Sequence, residues 1–477
     1  MNYKIENKIF GEHITPVFVF DNYILPDILP VIKQYRWVDL FAGDGNLILP
    51  ILKYLPTNER IDFFAEHIFL FDIQNEKVET CINRAVELGI PEKLARENIK
   101  TQDTLRQYPE DILKTSLKVY HVTNPPYLYR GYIAKNQEIK KYLSYFDKEN
   151  NICQDLYQVA LMNDLRHGIE KMIYIVPTNF IFADSSSKKV RLIILNHYFI
   201  KKAFIFEKQM FEKTGTHVSM LFLEKKPTVN TELQEFTAVK IKNDELVQKR
   251  KYTLLPNNFY RGGFEFDDFV KNYKANNPIR VHYYLYFSDL SDKKGDIDID
   301  LLDANSYNKA SGYKKISIKV DEFTYKMIKS NPLFLRTIDT GKEDGRMGLY
   351  FINNVFGVDG IVVTKNTQRT HPIHLFFYPK LEYEVIVLLK EYFNTILEYF
   401  RNQFDSEFLT TYKYSAASYT RKYLGLKQAK GIIETFPYLE LTQELKKVFI
   451  DLLSKKDING LIDLMRTHKN ARTLLEN

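Results

Sequence analysis

Short apolar runs alternate with stretches of helical periodicity through the first half of the chain, and this alternation restricts the fold more than any other feature. Buried strands are predicted over residues 35–41, 67–72, 118–123 and 171–176. A helix is predicted over residues 75–88, because Gly89 and Pro91 then stop it. Successive parallel strands need a crossover connection, which is usually a helix. The pattern therefore predicts an α/β fold built on a doubly wound, mostly parallel sheet.

This pattern breaks at residues 225–230, where the sequence reads Lys-Lys-Pro-Thr-Val-Asn. Beyond the break, Tyr, Lys, Asn and Gly are scattered among polar turns, which is typical of a mixed α+β domain. A chain of 477 residues is long enough for two or three domains with their own cores. We therefore expect an α/β domain over residues 1–226 and a mixed α+β domain over residues 227–477. Residues 439–475 are predicted to be helical and amphipathic.

Net charge and cysteine content exclude some classes of protein and leave others open. The formal net charge of +7 suits a polyanionic partner but does not identify one. The two cysteines, Cys81 and Cys153, have no partners at metal-ligand spacing, so neither a structural zinc site nor a disulfide framework is expected. No run of about 18 apolar residues is present, and residues 1–10 lack an apolar signal segment. We therefore expect a cytoplasmic protein without a membrane span or a bound metal.

The tetrapeptide Asn124-Pro125-Pro126-Tyr127 directly follows a predicted strand and carries the strongest chemical signal. The N6 amine of adenine is a poor nucleophile because its lone pair is delocalised into the ring. An Asn side-chain oxygen and a carbonyl of the rigid Pro-Pro turn can accept both amine hydrogens and so favour a tetrahedral nitrogen. Tyr127 offers a flat face on which an extruded base can stack. The alternative interpretation is a rigid loop without chemistry.

A glycine-containing loop, Asp39-Leu40-Phe41-Ala42-Gly43-Asp44-Gly45, ends the first predicted strand. Its glycines let the backbone approach a bound cofactor, and Asp39 can hold a cationic or hydroxylated group. The loop is not a dinucleotide fingerprint, because Ile48 replaces the third glycine, and it lacks the Lys-Ser/Thr pair of a phosphate-binding loop. A helix is predicted to follow over residues 46–54, with Pro50 near its first turn.

A further acidic residue, Asp72, closes the predicted strand over residues 67–72. A carboxylate at this place can accept hydrogen bonds from two hydroxyls of a ribose. Asp72 can equally cap the helix that follows, and the sequence leaves both interpretations open.

In this order, the glycine-containing loop, Asp72 and the Asn-Pro-Pro-Tyr loop resemble the amino-methyltransferases of restriction-modification systems with the gamma motif order, in which the recognition domain comes last. The resemblance spans nearly the whole first half of the chain and implies a Rossmann-like sheet that binds S-adenosyl-L-methionine. Residues 11–16 look like the segment that closes over the methionine end of the cofactor, and residues 102–105 like the segment that binds its adenine. Residues 206–222 look like a hairpin on which Phe211 would sandwich a flipped adenine against Tyr127.

The resemblance also assigns roles to individual residues. The implied cofactor-binding residues are Thr15, Asp39, Phe41, Gly43, Gly45, Asp72, Ile73, Asp103 and Thr104, and the implied catalytic residues are Asn124, Pro125, Pro126, Tyr127 and Phe211. Three of these assignments have plain alternatives. Residues 11–16 could form an ordinary turn, Asp103 could be a solvated loop residue, and Phe211 could be a core phenylalanine.

Two segments of the C-terminal domain, residues 364–371 and 411–422, interleave polar, cationic and ring-bearing side chains. Asn, Gln and Arg can pair with base edges, whereas Lys and Thr can bind phosphate. By the resemblance, this half of the chain is a target-recognition domain that binds double-stranded DNA. The alternative is that both segments are ordinary polar loops.

The function implied by the resemblance is that of a site-specific adenine-N6 DNA methyltransferase, the modification enzyme of a restriction-modification system. Such an enzyme flips the base and transfers the methyl group directly in line. A cognate restriction endonuclease would then be a partner that acts separately. Methylation of an RNA adenine or of a protein glutamine is an alternative reaction. An inactive DNA-binding specificity module is an alternative outside enzymes, and it should bind no cofactor.

Overall fold

A computed structural model describes residues 15–183, 187–206, 217–231, 233–242, 245–254, 263–290, 295–308, 310–339, 345–365, 371–403 and 423–476. These residues form two compact units, and the chain passes from the first to the second between residues 254 and 263. Each unit has a hydrophobic core of its own.

A nine-stranded sheet lies at the centre of the described part of the first unit. Its strands are β1 (Tyr35–Asp39), β2 (Ile68–Asp72), β3 (Ile99–Thr101), β4 (Lys118–Thr123), β5 (Lys171–Pro177), β6 (Tyr198–Phe206), β7 (Val218–Lys225), β8 (Gln234–Lys242) and β9 (Glu245–Leu254). They lie in the order β3-β2-β1-β4-β5-β7-β6-β8-β9. The pairs β3–β2, β2–β1, β1–β4, β4–β5 and β6–β8 are parallel, and the other three are antiparallel. The prediction of an α/β fold with a mostly parallel central sheet is therefore confirmed for this unit.

Helices connect the strands of this sheet. The α-helices are α1 (Val17–Val19), α2 (Leu25–Ile28), α3 (Arg60–His67), α4 (Asn75–Glu87), α5 (Glu92–Asn98), α6 (Arg130–Ile133), α7 (Leu156–Arg166), α8 (Asn179–Phe182) and α9 (Lys188–His197). A π-helical turn covers Phe20–Ile24, and 3-10 helices cover Leu29–Gln34, Leu49–Tyr54, Thr57–Glu59, Glu110–Leu113, Gln137–Phe146 and Lys148–Asn150. The crossover helix predicted over residues 75–88 is confirmed as α4.

The helix predicted over residues 46–54 is wrong in its start and in its type. Tight turns follow Gly45, and a 3-10 helix begins only at Leu49. An α-helix that began at Asn46 would need the N–H of residue 50 to bond back to the Asn46 carbonyl, and Pro50 has no N–H. Pro50 lies instead in the first turn of the 3-10 helix, where its missing N–H costs least.

The central strands are buried because their apolar residues are continuous rather than alternating. The five residues of β5 from Met172 to Val176 are each at most 2% exposed. Parallel strands that are covered on both faces show such continuous apolar runs. Trp37, the single tryptophan of the chain, is fully buried in β1 and donates its indole N–H to the Ile32 carbonyl at 2.7 Å. This packing holds the carboxyl ends of the neighbouring strands β1, β2 and β4 at one edge of the sheet.

The sheet continues past residue 226, where the sequence pattern breaks. β8 pairs parallel with β6, and β9 pairs antiparallel with β8 at the edge of the sheet. Phe236 and Ala238 of β8 are buried, whereas Thr237 between them is exposed. Such alternation is typical of a strand with one solvated face. The polar residues of that face are the residue types that also occur in loops. The first unit therefore includes residues up to 254.

The described part of the second unit contains two smaller sheets with a group of helices. The strands are β10 (Arg280–Tyr283), β11 (Ile297–Asn308), β12 (Gly312–Val320), β13 (Leu333–Arg336), β14 (Gly348–Phe351), β15 (Gly360–Val362) and β16 (Ile373–Tyr378). One sheet has the order β10-β16-β13-β14 and the other the order β12-β11-β15. This arrangement of strands and helices is a mixed α+β unit.

The helices of the second unit supply most of its apolar core. They are α10 (Phe264–Tyr273), α11 (Glu322–Lys329), α12 (Ile352–Phe356), α13 (Tyr383–Gln403), α14 (Leu426–Glu434), α15 (Gln443–Ser454) and α16 (Ile458–Glu476), with 3-10 helices at Phe287–Leu290 and Tyr438–Glu440. The helical stretch predicted over residues 439–475 is thus divided into α15 and α16. Within the described ranges, no helix combines the length and the apolar character that crossing a bilayer would require.

Candidate active site

A cavity of about 320 Å³ opens at the carboxyl ends of β1, β2 and β4. Asp39 is the last residue of β1, Asp72 is the last residue of β2, and Asn124 follows the last residue of β4. All three line the cavity. Because β1 pairs in parallel with both neighbours, these strand ends meet at one edge of the sheet. Open α/β sheets bind their ligands at this edge.

Asp39 is held at the floor of the cavity by two neutral donors. Its Oδ1 accepts the Phe41 N–H at 2.9 Å and the Thr123 hydroxyl at 2.6 Å. The bond to Phe41 turns the chain out of β1, which is why this strand ends two residues before its predicted end. Asp39 is only 1% exposed, and burial raises the pKa of its carboxyl to about 6, although both hydrogen bonds act in the opposite direction. Both bonds reach Oδ1, so Oδ2 is available to a ligand.

Asp72 ties the glycine-containing loop to the segment that follows β2. Its Oδ2 accepts the Gly43 N–H at 2.9 Å, and its Oδ1 accepts the Gln74 N–H at 2.8 Å. Gln74 is the residue before α4, so Asp72 also satisfies a backbone donor near the start of that helix. The two interpretations of Asp72, a cavity residue and a residue that supports a helix start, are compatible with each other.

Gly43 and Gly45 shape the turn between β1 and the 3-10 helix. Their φ angles are +54° and +76°, in the left-handed region that favours glycine. A Cβ on Gly43 would have no heavy atom within 4 Å. A Cβ on Gly45 would lie 2.6 Å from Leu49 Cδ1 and 2.8 Å from Cys81 Sγ. Gly45 is therefore required by its packing as well as by its backbone, whereas Gly43 is required by its backbone alone.

We expect Gly45→Ala to lower the free energy of unfolding of the first unit by about 2–4 kcal/mol, from the left-handed backbone and the overpacking together. Gly43→Ala is the matched control, with an expected loss of only about 1–2 kcal/mol from the backbone. Urea denaturation followed by the fluorescence of Trp37 measures both, because the only tryptophan lies in β1. Equal losses for the two variants would contradict the packing role of Gly45.

The Asn-Pro-Pro-Tyr loop is anchored on both sides of Asn124. Asn124 Nδ2 donates to the Thr15 hydroxyl at 3.0 Å, and Asn124 Oδ1 accepts from the Tyr127 hydroxyl, which also lies 2.8 Å from the Ile175 carbonyl. The ring of Tyr127 is buried, with 2% of the residue exposed. The next N–H of the loop, that of Leu128, donates to Asp155 Oδ1 at 2.8 Å. The carboxamide of Asn124 is thus fixed at the cavity wall.

The structure brings most of the residues implied by the sequence to this one cavity. Those that line it are Thr15, Asp39, Phe41, Gly43, Asp72, Ile73, Asp103, Thr104, Asn124 and Pro126. Gly45, Pro125 and Tyr127 are described but are not among the residues that line it. Phe211 lies outside the described residues, as do residues 11–14, 366–370 and 411–422.

Four carboxylates give the cavity its charge. Asp44 joins Asp39, Asp72 and Asp103 in the lining. Asp44 Oδ1 lies 3.1 Å from Lys77 Nζ, whereas the hydrogen bonds to Asp39 come from neutral groups. A cavity of this kind suits a ligand that carries positive charge and hydroxyl groups.

Sequence reasoning missed several residues of the cavity. The strongest omissions are Asn46, Tyr142 and Tyr145. Asn46 Nδ2 donates to the Thr15 carbonyl at 2.8 Å and so joins the N-terminal segment to the glycine-containing loop. The Tyr-x-x-Tyr spacing of residues 142 and 145 was the available signal for the other two, since residues three apart lie on one face of a 3-10 turn.

The chain is similar to one protein family and to several solved structures. The N-6 DNA Methylase family matches residues 3–276. Solved structures similar to the chain include the type IIG restriction endonuclease BpuSI (13% identity, TM-score 0.43), a type I restriction-modification system methyltransferase subunit from Streptococcus thermophilus (17%, 0.34) and the ATP-dependent Type ISP restriction-modification enzyme LlaBIII bound to DNA (16%, 0.36). They align with 94%, 48% and 48% of this chain, respectively. No match to the chain was found among curated proteins.

The chain spans 62%, 48% and 20% of these three structures, which is less than two thirds of each. The family match does not depend on them. It covers more than half of the 477 residues and includes every element that lines the cavity. The chain therefore belongs to the N-6 DNA Methylase family.

Proposed function

We propose that this chain transfers a methyl group from S-adenosyl-L-methionine to the exocyclic N6 of adenine in double-stranded DNA. The observation that carries the proposal is the fixed carboxamide of Asn124 in the wall of a cavity lined by four carboxylates. Family membership supports a DNA adenine methyltransferase in general. The cofactor, the flipping of the base and the direct in-line transfer are parts of the proposal.

The cavity suits the proposed cofactor in charge, in hydrogen-bonding groups and in apolar surface. S-adenosyl-L-methionine would supply an electrophilic methyl group on a sulfonium, and its amino acid end carries an ammonium. Asp39 and Asp44 provide negative charge, and Asp72 can accept from ribose hydroxyls. Ile73, which is 53% exposed, and Leu105 provide apolar surface for a purine. Thr15, which Asn46 and Asn124 contact, would lie over the methionine end.

Asn124 would orient the target amine. Its Oδ1 and the Pro125 carbonyl would accept the two amine hydrogens, so that the nitrogen lone pair is withdrawn from the ring. Oδ1 already accepts the Tyr127 hydroxyl, and a carbonyl oxygen has a second lone pair for the amine. This arrangement needs no covalent enzyme intermediate, because the protein only positions the nucleophile.

Tyr127 is assigned two roles in the proposal. Its hydroxyl holds the carboxamide of Asn124, and its ring would stack on the flipped base. With 2% of the residue exposed, the ring can stack on a base only after a neighbouring group uncovers it. Phe211 would lie on the other side of the base.

The second unit is proposed to recognise the DNA target, and the first unit, which contains the nine-stranded sheet, is proposed to be the catalytic domain. Exposed Tyr378 lies beside Arg280, with 5.8 Å between the guanidinium carbon and the ring centroid, and Lys314 and Lys315 lie on β12. Rings and cations of this kind can contact bases and phosphates. A separate restriction endonuclease would be the functional partner of this chain.

Methyl transfer from labelled cofactor to unmethylated DNA, to RNA and to total protein tests the proposal directly. We expect label in N6-methyladenine from digested DNA alone. Label only in RNA or only in protein would mean that the site is catalytic and that its substrate is wrongly assigned. The absence of both cofactor binding and transfer to any substrate would favour an inactive DNA-binding specificity module.

The pKa of Asp39 predicts a pH dependence of cofactor binding. Because burial raises this pKa to about 6, Asp39 is ionised at pH 7.5 and takes up a proton as the pH falls below 6. If the ionised form binds the cationic cofactor, affinity should fall by up to about tenfold per pH unit below that value. Calorimetric titrations between pH 5 and 7.5 measure this, with Asp39→Asn as the control. The Asn variant should bind more weakly at pH 7.5 and show a flat profile, and a flat wild-type profile would contradict the role of Asp39.

A further inference from the structure

Two tyrosines form part of the cavity wall on the side of Asp103. Tyr142 and Tyr145 lie on the 3-10 helix Gln137–Phe146. Their rings are nearly parallel, with an interplanar angle of 11° and centroids 5.8 Å apart. The 3-10 helix that carries them begins ten positions after Tyr127, the last residue of the Asn-Pro-Pro-Tyr loop. It therefore contributes to the cavity independently of that loop.

Tyr145 reaches across the cavity wall to Asp103. The Tyr145 hydroxyl donates to Asp103 Oδ2 at 2.7 Å. Arg106 Nε lies 3.2 Å from the same oxygen, and the guanidinium carbon of Arg106 lies 4.9 Å from the centroid of the Tyr145 ring. Tyr145 is 6% exposed, so this hydroxyl is largely protected from competing water. Asp103, Arg106 and Tyr145 thus form a compact triad.

The triad leaves one oxygen of Asp103 available to a ligand. Both side-chain donors of the triad reach Oδ2, whereas among the described residues Oδ1 accepts only the Arg106 N–H, at the long distance of 3.3 Å. The side chain of Asp103 keeps 27% exposure and lines the cavity. A carboxylate oxygen accepts hydrogen bonds and cannot donate them when it is ionised. Oδ1 is therefore placed to accept from an amine and to repel a carbonyl oxygen.

We propose that Tyr145 is a positioning residue which, with Arg106, fixes Asp103 so that the cavity selects a cofactor whose purine carries a 6-amino group. The inference rests on the proposed function, because it assumes that the purine of an adenosyl cofactor lies beside Asp103. A 6-amino group donates to Oδ1. A 6-oxo group at the same place presents an oxygen to a carboxylate that the triad prevents from turning away.

The test compares the binding of two ligands that differ only along the purine edge formed by position 6 and N1. S-adenosylhomocysteine has a 6-amino purine, and S-inosylhomocysteine has a 6-oxo purine. Calorimetry on the full chain should show that the wild type prefers the adenosyl ligand by roughly tenfold or more, which is the contribution of a charge-assisted hydrogen bond. In Tyr145→Phe, which keeps the ring, the preference should fall to roughly threefold or less because Asp103 can rotate.

Two further variants test whether Tyr145→Phe acts by releasing Asp103 or by a general effect on the fold. Tyr54→Phe removes a hydrogen bond of the same kind, from a tyrosine hydroxyl to Asp21 at 3.2 Å, at a surface position outside the cavity lining. It should keep the wild-type preference. Asp103→Asn gives the cavity a side chain that can donate, so it should shift the preference toward the inosyl ligand.

The outcomes of this test distinguish the inference from the proposed function. Weaker binding of both ligands by Tyr145→Phe, with the preference retained, would make Tyr145 a structural residue and overturn the inference. Equal binding of both ligands by the wild type would also overturn it, while an adenosyl cofactor site would stand. Binding of neither ligand by the wild type would overturn the inference together with the cofactor of the proposed function.

Discussion

Asn124→Ala is expected to lower the rate of methyl transfer to DNA by about 100-fold to 1,000-fold while changing cofactor affinity by less than about threefold. The amine of adenine becomes nucleophilic only if its hydrogens are accepted out of conjugation with the ring, and alanine removes the side-chain acceptor. The carboxylates Asp39 and Asp72 are held by backbone and hydroxyl donors that do not involve Asn124. Thr15 loses its hydrogen bond to Asn124 in this variant but keeps the one from Asn46 to its carbonyl. Cofactor binding should therefore survive the substitution.

Single-turnover transfer of labelled methyl groups to DNA measures the rate of methyl transfer, and calorimetry with S-adenosylhomocysteine measures the affinity for the cofactor. Asn136→Ala is the matched control, since Asn136 also donates from Nδ2 to its surroundings, at 2.7 Å to the Tyr132 carbonyl, but does not line the cavity. It should retain the wild-type rate. A rate for Asn124→Ala within about threefold of the wild type would remove Asn124 from the reaction. Loss of ligand affinity in the same proportion as the rate would place Asn124 in the cofactor site instead.

The sequence predicts those parts of the first unit in which the apolar pattern of a segment matches its burial in the folded protein. β4 has the bounds predicted for it, residues 118–123, because its apolar run is buried on both faces and a Pro-Pro turn stops it. Asp39 and Asp72 meet because each ends a strand and the two strands are parallel neighbours. A polar residue at the end of a predicted parallel strand is therefore a direct indication of where a ligand site lies.

Other parts of the site depend on contacts that no local pattern encodes. Tyr145 bonds to Asp103 across 42 positions of the chain, and Asn46 bonds to Thr15 across 31. These contacts involve turns and a 3-10 helix, and in such segments the spacing of apolar residues does not predict which residues face each other. β8 and β9 were missed for a related reason, because strands with a solvated face resemble polar loops in composition. The sequence therefore predicts the strand ends of the site better than the segments that enclose it.

A buried polar cluster behind the cavity supports the strand ends from the other side. Asp164 is 0% exposed and accepts from the Tyr174 hydroxyl, from the Tyr108 hydroxyl at 2.9 Å and from Nδ1 of His121. His121 is 1% exposed, and its Nε2 accepts the Leu40 N–H at 3.2 Å. These partners assign the imidazole proton to Nδ1. The cluster thus links α7 to the residue that follows Asp39 in the glycine-containing loop.

Asp164→Ala is expected to lower the free energy of unfolding of the first unit by about 3–5 kcal/mol, because two buried donors and the half-buried Tyr108 hydroxyl then lose their acceptor. Asp164→Asn keeps one acceptor oxygen and should cost less, about 1–3 kcal/mol. Asp111→Ala removes an exposed carboxylate that pairs with Lys114 at the surface and should leave stability unchanged. Urea denaturation followed by Trp37 fluorescence reports on this unit alone.

The same substitution also separates stability from function. The Leu40 N–H depends on His121, and the orientation of His121 depends on Asp164, so the loop that begins at Asp39 loses one of its supports in Asp164→Ala. At a temperature where this variant is still folded, its affinity for S-adenosylhomocysteine should therefore fall, whereas Asp111→Ala should bind as the wild type does. A loss of stability below about 1 kcal/mol in Asp164→Ala would mean that the donors find other partners. If the variant loses the full expected stability but keeps its ligand affinity, the cluster stabilises the fold and has no role in positioning the loop. The loop would then be supported by Thr104, whose hydroxyl donates to the Leu40 carbonyl at 2.9 Å.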